Sequence, residues 1–168
     1  MDKIRGFEKV SFNCFYYGNS LPYDKKTYDR IKIPQRSTKY SAGYDIFSTI
    51  NFDLDPKEEI TFPLGFKVYM PQNEFFMIVP RSGLGFKYFT RLANTVGIID
   101  SDYYGNKKNE GHCWIKIRNE SKNDCLHIKE GDSIAQGIFM NYLLADGDSF
   151  TDENLAERGG GFGSTDKS

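Results

Sequence analysis

The sequence predicts an all-β domain, a β-sandwich or jelly roll, with one short helix and a flexible glycine-rich C-terminal arm. Three observations predict it. Apolar residues alternate with polar ones through several short runs instead of recurring at helical spacing. Turn-forming residues separate many of those runs. Only residues 84–91 read as a helix, and a short one.

In chain order, the expected strands are residues 10–17, 44–50, 59–63, 66–70, 74–80, 113–118 and 134–142. The clearest is 113–118, where Cys113, Ile115 and Ile117 point one way and Trp114, Lys116 and Arg118 the other. Turn signals fall at 51–53, 70–73 and 129–132. Residues 1–30 form an N-terminal extension, whose run at 10–17 is expected to add a strand to a sheet edge or to a neighbouring subunit. At the other end, Gly159, Gly160, Gly161 and Gly163 exclude regular structure, which makes 156–168 an arm. A chain of 168 residues is long enough for one core and short for two, so 1–168 is expected to be a single domain.

Composition excludes several classes. The 22 lysines and arginines nearly balance 23 aspartates and glutamates, leaving no broad field that would hold nucleic acid or an anionic membrane. No stretch approaches the roughly 20 apolar residues of a membrane span, and the N-terminus lacks the apolar core of a signal peptide. The expectation is a soluble, cytoplasmic protein, or one in the intracellular compartment of an infected host if viral or phage, with no nucleic-acid or membrane partner. Cys14, Cys113 and Cys125 are an odd number without CxxC spacing, which argues for reduced thiols and against a zinc site. His112 and His127 lack metal-ligand spacing and are expected in a solvated loop or at a strand edge.

Polar residues and glycines cluster in five segments: 41–45, 80–84, 94–103, 131–136 and 158–165. Most have a bland explanation when taken alone. Gly43 and Asp45 could be a turn entering a strand, and Gly131-Asp132 a hairpin turn. Arg81-Ser82-Gly83 could open the helix, with Ser82 as its capping oxygen. The arm is harder to dismiss, because its glycines lose much backbone entropy if ordered and a bound molecule must supply that order. Arg158, Phe162, Ser164, Thr165 and closely approaching glycine amides such as that of Gly163 suit an aromatic base and its phosphates. Asp100 and Asp102 follow the apolar run 96–99, and such a carboxylate is either a strand-end residue or a positioned base. The residue alone favours the first, and the rings of Tyr103 and Tyr104 beside it add weight to the second.

In order and in register, these segments resemble the five motifs of the trimeric dUTPase family, from about Ile33 to Thr165. Between Arg81 and Asp100 the spacing of Ser82, Gly83, Leu84, Lys87, Asn94 and Gly97 follows the family pattern without a gap. The resemblance implies a jelly-roll subunit, a homotrimer with shared active sites, and hydrolysis of dUTP to dUMP and pyrophosphate with Mg2+. Such an activity keeps uracil out of DNA and supplies dUMP for thymidylate synthesis. By the same resemblance, Asp45 orients metal-bound waters, while Arg81, Ser82 and the Gly83 amide hold phosphates. Gln136 positions the α-phosphate and the attacking water, and Asp100 takes that water's proton. Backbone groups from Asn94 through Gly97 to Ile99 meet the uracil edge, and Tyr103 packs under the deoxyribose. From the arm, Phe162 stacks on uracil while Arg158, Gly163, Ser164 and Thr165 close over the phosphates.

The chain departs from the pattern in four places. The arm has one residue fewer between Arg158 and Phe162, residues 106–112 lengthen a hairpin, Ser133 stands where arginine is common, and about 30 residues precede the matched region. Two alternatives follow. A dCTP deaminase of the same fold needs a glutamate after the third motif, where 106–113 offers only Glu110. A regulatory protein could retain the nucleotide site for gating a partner.

Overall fold

A computed structural model describes residues 3–16 and 24–151. The arm residues Arg158, Phe162, Gly163, Ser164 and Thr165 lie outside the described residues.

The chain opens with strand β1 (Gly6–Lys9) and helices α1 (Phe12–Tyr16) and α2 (Lys25–Arg30). Strands β2 (Tyr44–Phe47), β3 (Phe52–Leu54), β4 (Glu59–Pro63), β5 (Phe66–Tyr69) and β6 (Glu74–Pro80) follow, then α3 (Ser82–Tyr88). After it come β7 (Arg91–Leu92), β8 (Gly97–Asp100), a 3-10 turn (Ser101–Tyr103), β9 (Trp114–Arg118), β10 (Leu126–Ile128) and β11 (Ser133–Asn141). They form two sheets, ordered β2-β11-β6-β8 and β4-β9-β7, and two ribbons, β1-β5 and β10-β3. Every pairing is antiparallel. The all-β sandwich expected from alternation is the fold observed.

Alternation builds the core that joins these sheets. Glu74, Phe76 and Ile78 of β6 are buried, as are Ile115 and Ile117 of β9, and Phe62, Phe66, Leu126 and Ile134 complete one cluster. Along β11 the register shifts between Ser133 and Ala135, so consecutive residues Ile134 and Ala135 both turn inward. Two residues on, Gly137 faces the Phe76 ring so closely that an added Cβ would lie 1.9 Å from its Cζ. Phe76 can fill the core only because position 137 has no side chain.

The N-terminal region differs from expectation. Its strand is residues 6–9, paired with β5 of the same chain, and 12–16 is helical. The cause lies at Ser11, whose Oγ accepts from the Cys14 amide at 3.1 Å and caps a turn. Phe12, Phe15 and Tyr16 then take helical spacing. Val10, Phe15 and Ile31 form a small second core, and Asp24 caps α2 by accepting from the Thr27 amide at 2.7 Å. Arg30 reaches the β10–β11 turn, donating to Glu130 at 2.7 and 2.9 Å.

Smaller corrections concern boundaries. The expected helix at 84–91 begins at Ser82 and ends at Tyr88, because Phe89 turns left-handed with φ 51°. Residues 51–53 lead into β3 instead of making only a turn. His112 is buried, not solvated: its Nε2 accepts from the Gly65 amide at 3.0 Å, and burial pushes the imidazole down to about 4. His127 is exposed on β10, 2.6 Å from Asp53.

Candidate active site

Strand β6 connects two groups of polar residues, one at each end. At its C-terminal end, Asp45 on β2 lies directly across from Gln136 on β11, and Gln136 is in turn opposite Val79. Arg81, the first residue beyond β6, brings its Nε within 3.3 Å of Asp45 Oδ1 and donates from Nη1 to the Ser133 carbonyl at 3.3 Å. Gln136 Nε2 donates to the Pro80 carbonyl at 3.4 Å. Gly43 crowds this amide, since a Cβ there would sit 2.5 Å from Gln136 Oε1. Ser82 and Gly83 open α3 and are exposed, with nothing within 4 Å of a Cβ built on Gly83. Arg81 occupies the helix cap position, and Ser82 is not the capping residue. The structure therefore joins the expected residues of the first, second and fourth segments into one cluster. Its donors suit anionic oxygens.

The other group forms around the hairpin of residues 91–100. Its arms belong to different sheets, β7 pairing with β9 and β8 with β6. Between them lies a slot of about 240 Å3, lined by Leu92, Asn94, Gly97, Ile98, Ile99 and Trp114 among others. Strand β8 is the last in its sheet, so one row of its amides and carbonyls has no neighbouring strand. At the hairpin tip Thr95 adopts φ 67°, in the left-handed region.

Asp100 ends β8 opposite Phe75 and borders a larger open cavity of about 570 Å3 with Asp102, Phe75, Tyr142, Asp148 and Phe150. Burial, then the charges of Asp100, Asp102 and Asp148, raise the Tyr142 hydroxyl above the ordinary phenol range. This cavity is acidic. Tyr103 lines neither space; it is buried in the core, and its hydroxyl donates to the His112 carbonyl at 3.2 Å.

Sequence reasoning missed Phe75, Tyr142, Asp148 and Phe150. Alternation along β6 puts Phe75 on the face away from the buried Phe76, a signal that a ring was available there. The residues contributed from 142–150 carry no comparable mark.

The two groups do not meet. Asp100 is opposite Phe75, five residue steps from Pro80, or about 17 Å at roughly 3.4 Å per step. Neither cavity is bordered by Asp45, Arg81, Ser82, Gly83 or Gln136.

Comparison with known proteins places the chain in a family. The family profile described as dUTPase matches residues 29–166. A deoxyuridine 5'-triphosphate nucleotidohydrolase of Lactococcus lactis is 41% identical, covering 97% of this chain and 98% of that protein. One from Mannheimia succiniciproducens is 36% identical over 86% and 93% respectively. The crystal structure of dUTPase from Streptococcus mutans superposes with a TM-score of 0.66 at 31% identity, covering 84% of this chain and 99% of that one. With its fold and more than four-fifths of its length matched, this chain belongs to the dUTPase family.

Proposed function

We propose that this protein hydrolyses dUTP to dUMP and pyrophosphate by in-line attack of water on the α-phosphorus, with Asp100 as the general base. The observation that carries the reading is the hairpin. A slot of pyrimidine scale opens beside an unpaired strand edge, and a carboxylate stands at the end of that same strand. Amides and carbonyls of 94–99 would read the uracil edge as a partner base does. A thymine methyl would crowd the slot, and cytosine would leave polar groups unpaired. General-base assistance of this kind contributes about 10²–10⁴ in rate.

The phosphate ligands must come from another copy. Gln136 and Asp100 are both needed at the α-phosphate, yet Gln136 is opposite Val79, four steps or about 14 Å along the strand from Phe75, and it lies two strands away from Asp100 in one chain. A homotrimer resolves this, with each site taking Asp100 from one subunit and Asp45, Arg81, Ser82, Gly83 and Gln136 from the next. Head-to-tail contacts of that sort close into rings. The arm, with Arg158, Phe162, Gly163, Ser164 and Thr165, would then cover the base and outer phosphates.

The residues fit a magnesium ion brought in with the nucleotide. No three His, Cys, Asp or Glu side chains among the described residues form a cage. A hard cation that keeps its waters and binds phosphate oxygens needs none, and Asp45 can accept hydrogen bonds from such waters. The ion would supply charge neutralisation on the departing pyrophosphate. Arg81 would exchange its contact with Asp45 for phosphate oxygens, and Asp100 would hold the water's proton.

Among the described residues no helix is long and apolar enough to cross a membrane. Glu110, which the deaminase alternative requires, is held by Ser11 and Lys67 and borders neither cavity. The test is pyrophosphate release from dUTP, dCTP, dTTP and UTP with and without Mg2+, alongside ammonia release. Pyrophosphate from dUTP alone is expected. Ammonia from dCTP would establish deamination, and binding without turnover would leave only a regulatory role.

A further inference from the structure

The inserted residues 106–112 are bonded on two sides. Toward the site, Asn109 Nδ2 donates to the Tyr103 hydroxyl at 2.7 Å, and that hydroxyl donates to the His112 carbonyl at 3.2 Å. The Asn106 amide donates to the Tyr103 carbonyl at 3.3 Å, and the Gly105 amide to the Glu110 carbonyl at 3.1 Å. Gly111, at φ 82°, packs so tightly that a Cβ would lie 2.5 Å from the Tyr103 carbonyl oxygen. Away from the site, the Glu110 carboxylate accepts from the Ser11 amide at 3.1 Å and from the Ser11 hydroxyl, while Lys67 donates to it at 3.2 Å. Cys14 Sγ lies 3.1 Å from the Asn109 carbonyl, and the rings of Phe15 and His112 are 6.0 Å apart. Glu110 holds φ 58°, a conformation that persists in a non-glycine residue only where its surroundings over-determine it.

We propose that the insert and the N-terminal extension together clamp the turn that begins at Asp100, and that Asn109 is the positioning residue of this clamp. Asp100 occupies the N-cap position of the 3-10 turn of Ser101–Tyr103 without a side-chain capping bond, so the seating of Tyr103 bears on the backbone from which the Asp100 carboxylate projects. The hydroxyl at the far end of that ring is fixed twice, once by a donor and once by an acceptor, and the donor comes from the insert. A general base must stay within hydrogen-bond reach of its water, and displacements near 1 Å cost catalysis heavily. The inference rests on the dUTP-hydrolysing reading for its kinetic consequence, but not for the clamp itself.

The two ends of the Asn109 amide have separate tasks, which makes a clean test available. Its Oδ1 accepts from the Gly111 amide at 3.1 Å and shapes the loop, while Nδ2 serves Tyr103. Asn109→Asp keeps the acceptor toward Gly111 and replaces the Nδ2 donor with an oxygen. The Tyr103 hydroxyl can bond that oxygen only by turning its proton away from the His112 carbonyl, so one of its two bonds is lost. In the full-length assembled protein, Asn109→Asp is expected to lower kcat for dUTP about tenfold, the rate equivalent of one ordinary hydrogen bond. The change in KM should be smaller and the melting temperature little altered. Tyr103→Phe should behave alike, and the double variant should lose less than the sum of the two, because both changes act on the bonds of one hydroxyl. Additive losses, or a lowered melting temperature with unchanged kcat, would overturn the proposal. Should Asn109→Asp fail to assemble, unchanged kcat in Tyr103→Phe would do so. Amide exchange at 100–104 reads the clamp without substrate: faster exchange is expected in Asn109→Asp, and unchanged exchange sinks the clamp even if dUTP proves not to be the substrate. Absence of dUTP turnover in the unmodified protein, with exchange behaving as expected, would refute the hydrolase reading and leave the clamp standing.

Discussion

The two ends of β6 are built from opposite materials. At the C-terminal end a cation, an amide and a carboxylate are already tied to one another and to main-chain carbonyls. At the N-terminal end Asp100, Asp102 and Asp148 gather with aromatic rings around an open cavity. The first suits polyanions, and its carboxylate, Asp45, is already engaged by Arg81. The second gathers carboxylates, a base for water among them. The donors of one end complement the carboxylates of the other, which is the physical argument for a site shared between copies.

The most severe way to break this comparison is Asp100→Asn. Turnover of dUTP should fall about 10³-fold, within the range expected of a general base, while dUTP binding persists; normal turnover would remove Asp100 from the mechanism. Mixing Asp100→Asn with Arg81→Ala subunits, each inactive by itself, should restore activity that neither has alone. If mixed assemblies stay dead, the ends serve the same subunit and the shared site is wrong.

A second prediction sharpens the contrast through pH. His112 backs the Asp100 end, and its folded value near 4 lies below the imidazole's 6.5 when unperturbed. The stability that its neutral form contributes is therefore whole above pH 6.5 and is lost as pH falls toward 4, by roughly 3 kcal/mol at most. Hydrogen exchange should show residues 101–113 loosening first in acid, ahead of 43–47 and 133–137. A third, smaller effect belongs to the other end: Gly43→Ala should displace the Gln136 amide and lower kcat about tenfold, with little change in melting temperature because the displaced atom ends a flexible side chain. A collapse in stability would show that Gly43 serves the fold instead.

How much of this was legible follows from strand length. Residues 59–63 and 74–80 were read to their ends, because each carries enough alternations to fix its period. β7 and β10, of two and three residues, carry too few. Residues 10–17 fit both periods, and the Ser11 cap decided for the helix. In the site, Asp45, Arg81 and Gln136 were expected together through the motifs, and their adjacency is now a matter of register. Alternation showed Phe75 as an outward ring, but its place beside Asp100, like that of Tyr142, was not legible because nothing local records which strand lies opposite Asp100 or where the chain goes after β11. His112 was misjudged since burial of a lone imidazole depends on the distant Gly65 amide.

The open margin of β8 has one more outcome. A strand with a bare row of backbone groups and a half-exposed isoleucine, Ile98, is a template on which any extended peptide can lay itself down. Whatever fills the slot beside it, nucleotide or neighbouring subunit, also retires that aggregation hazard, so solubility in concentrated preparations should improve when the slot is occupied.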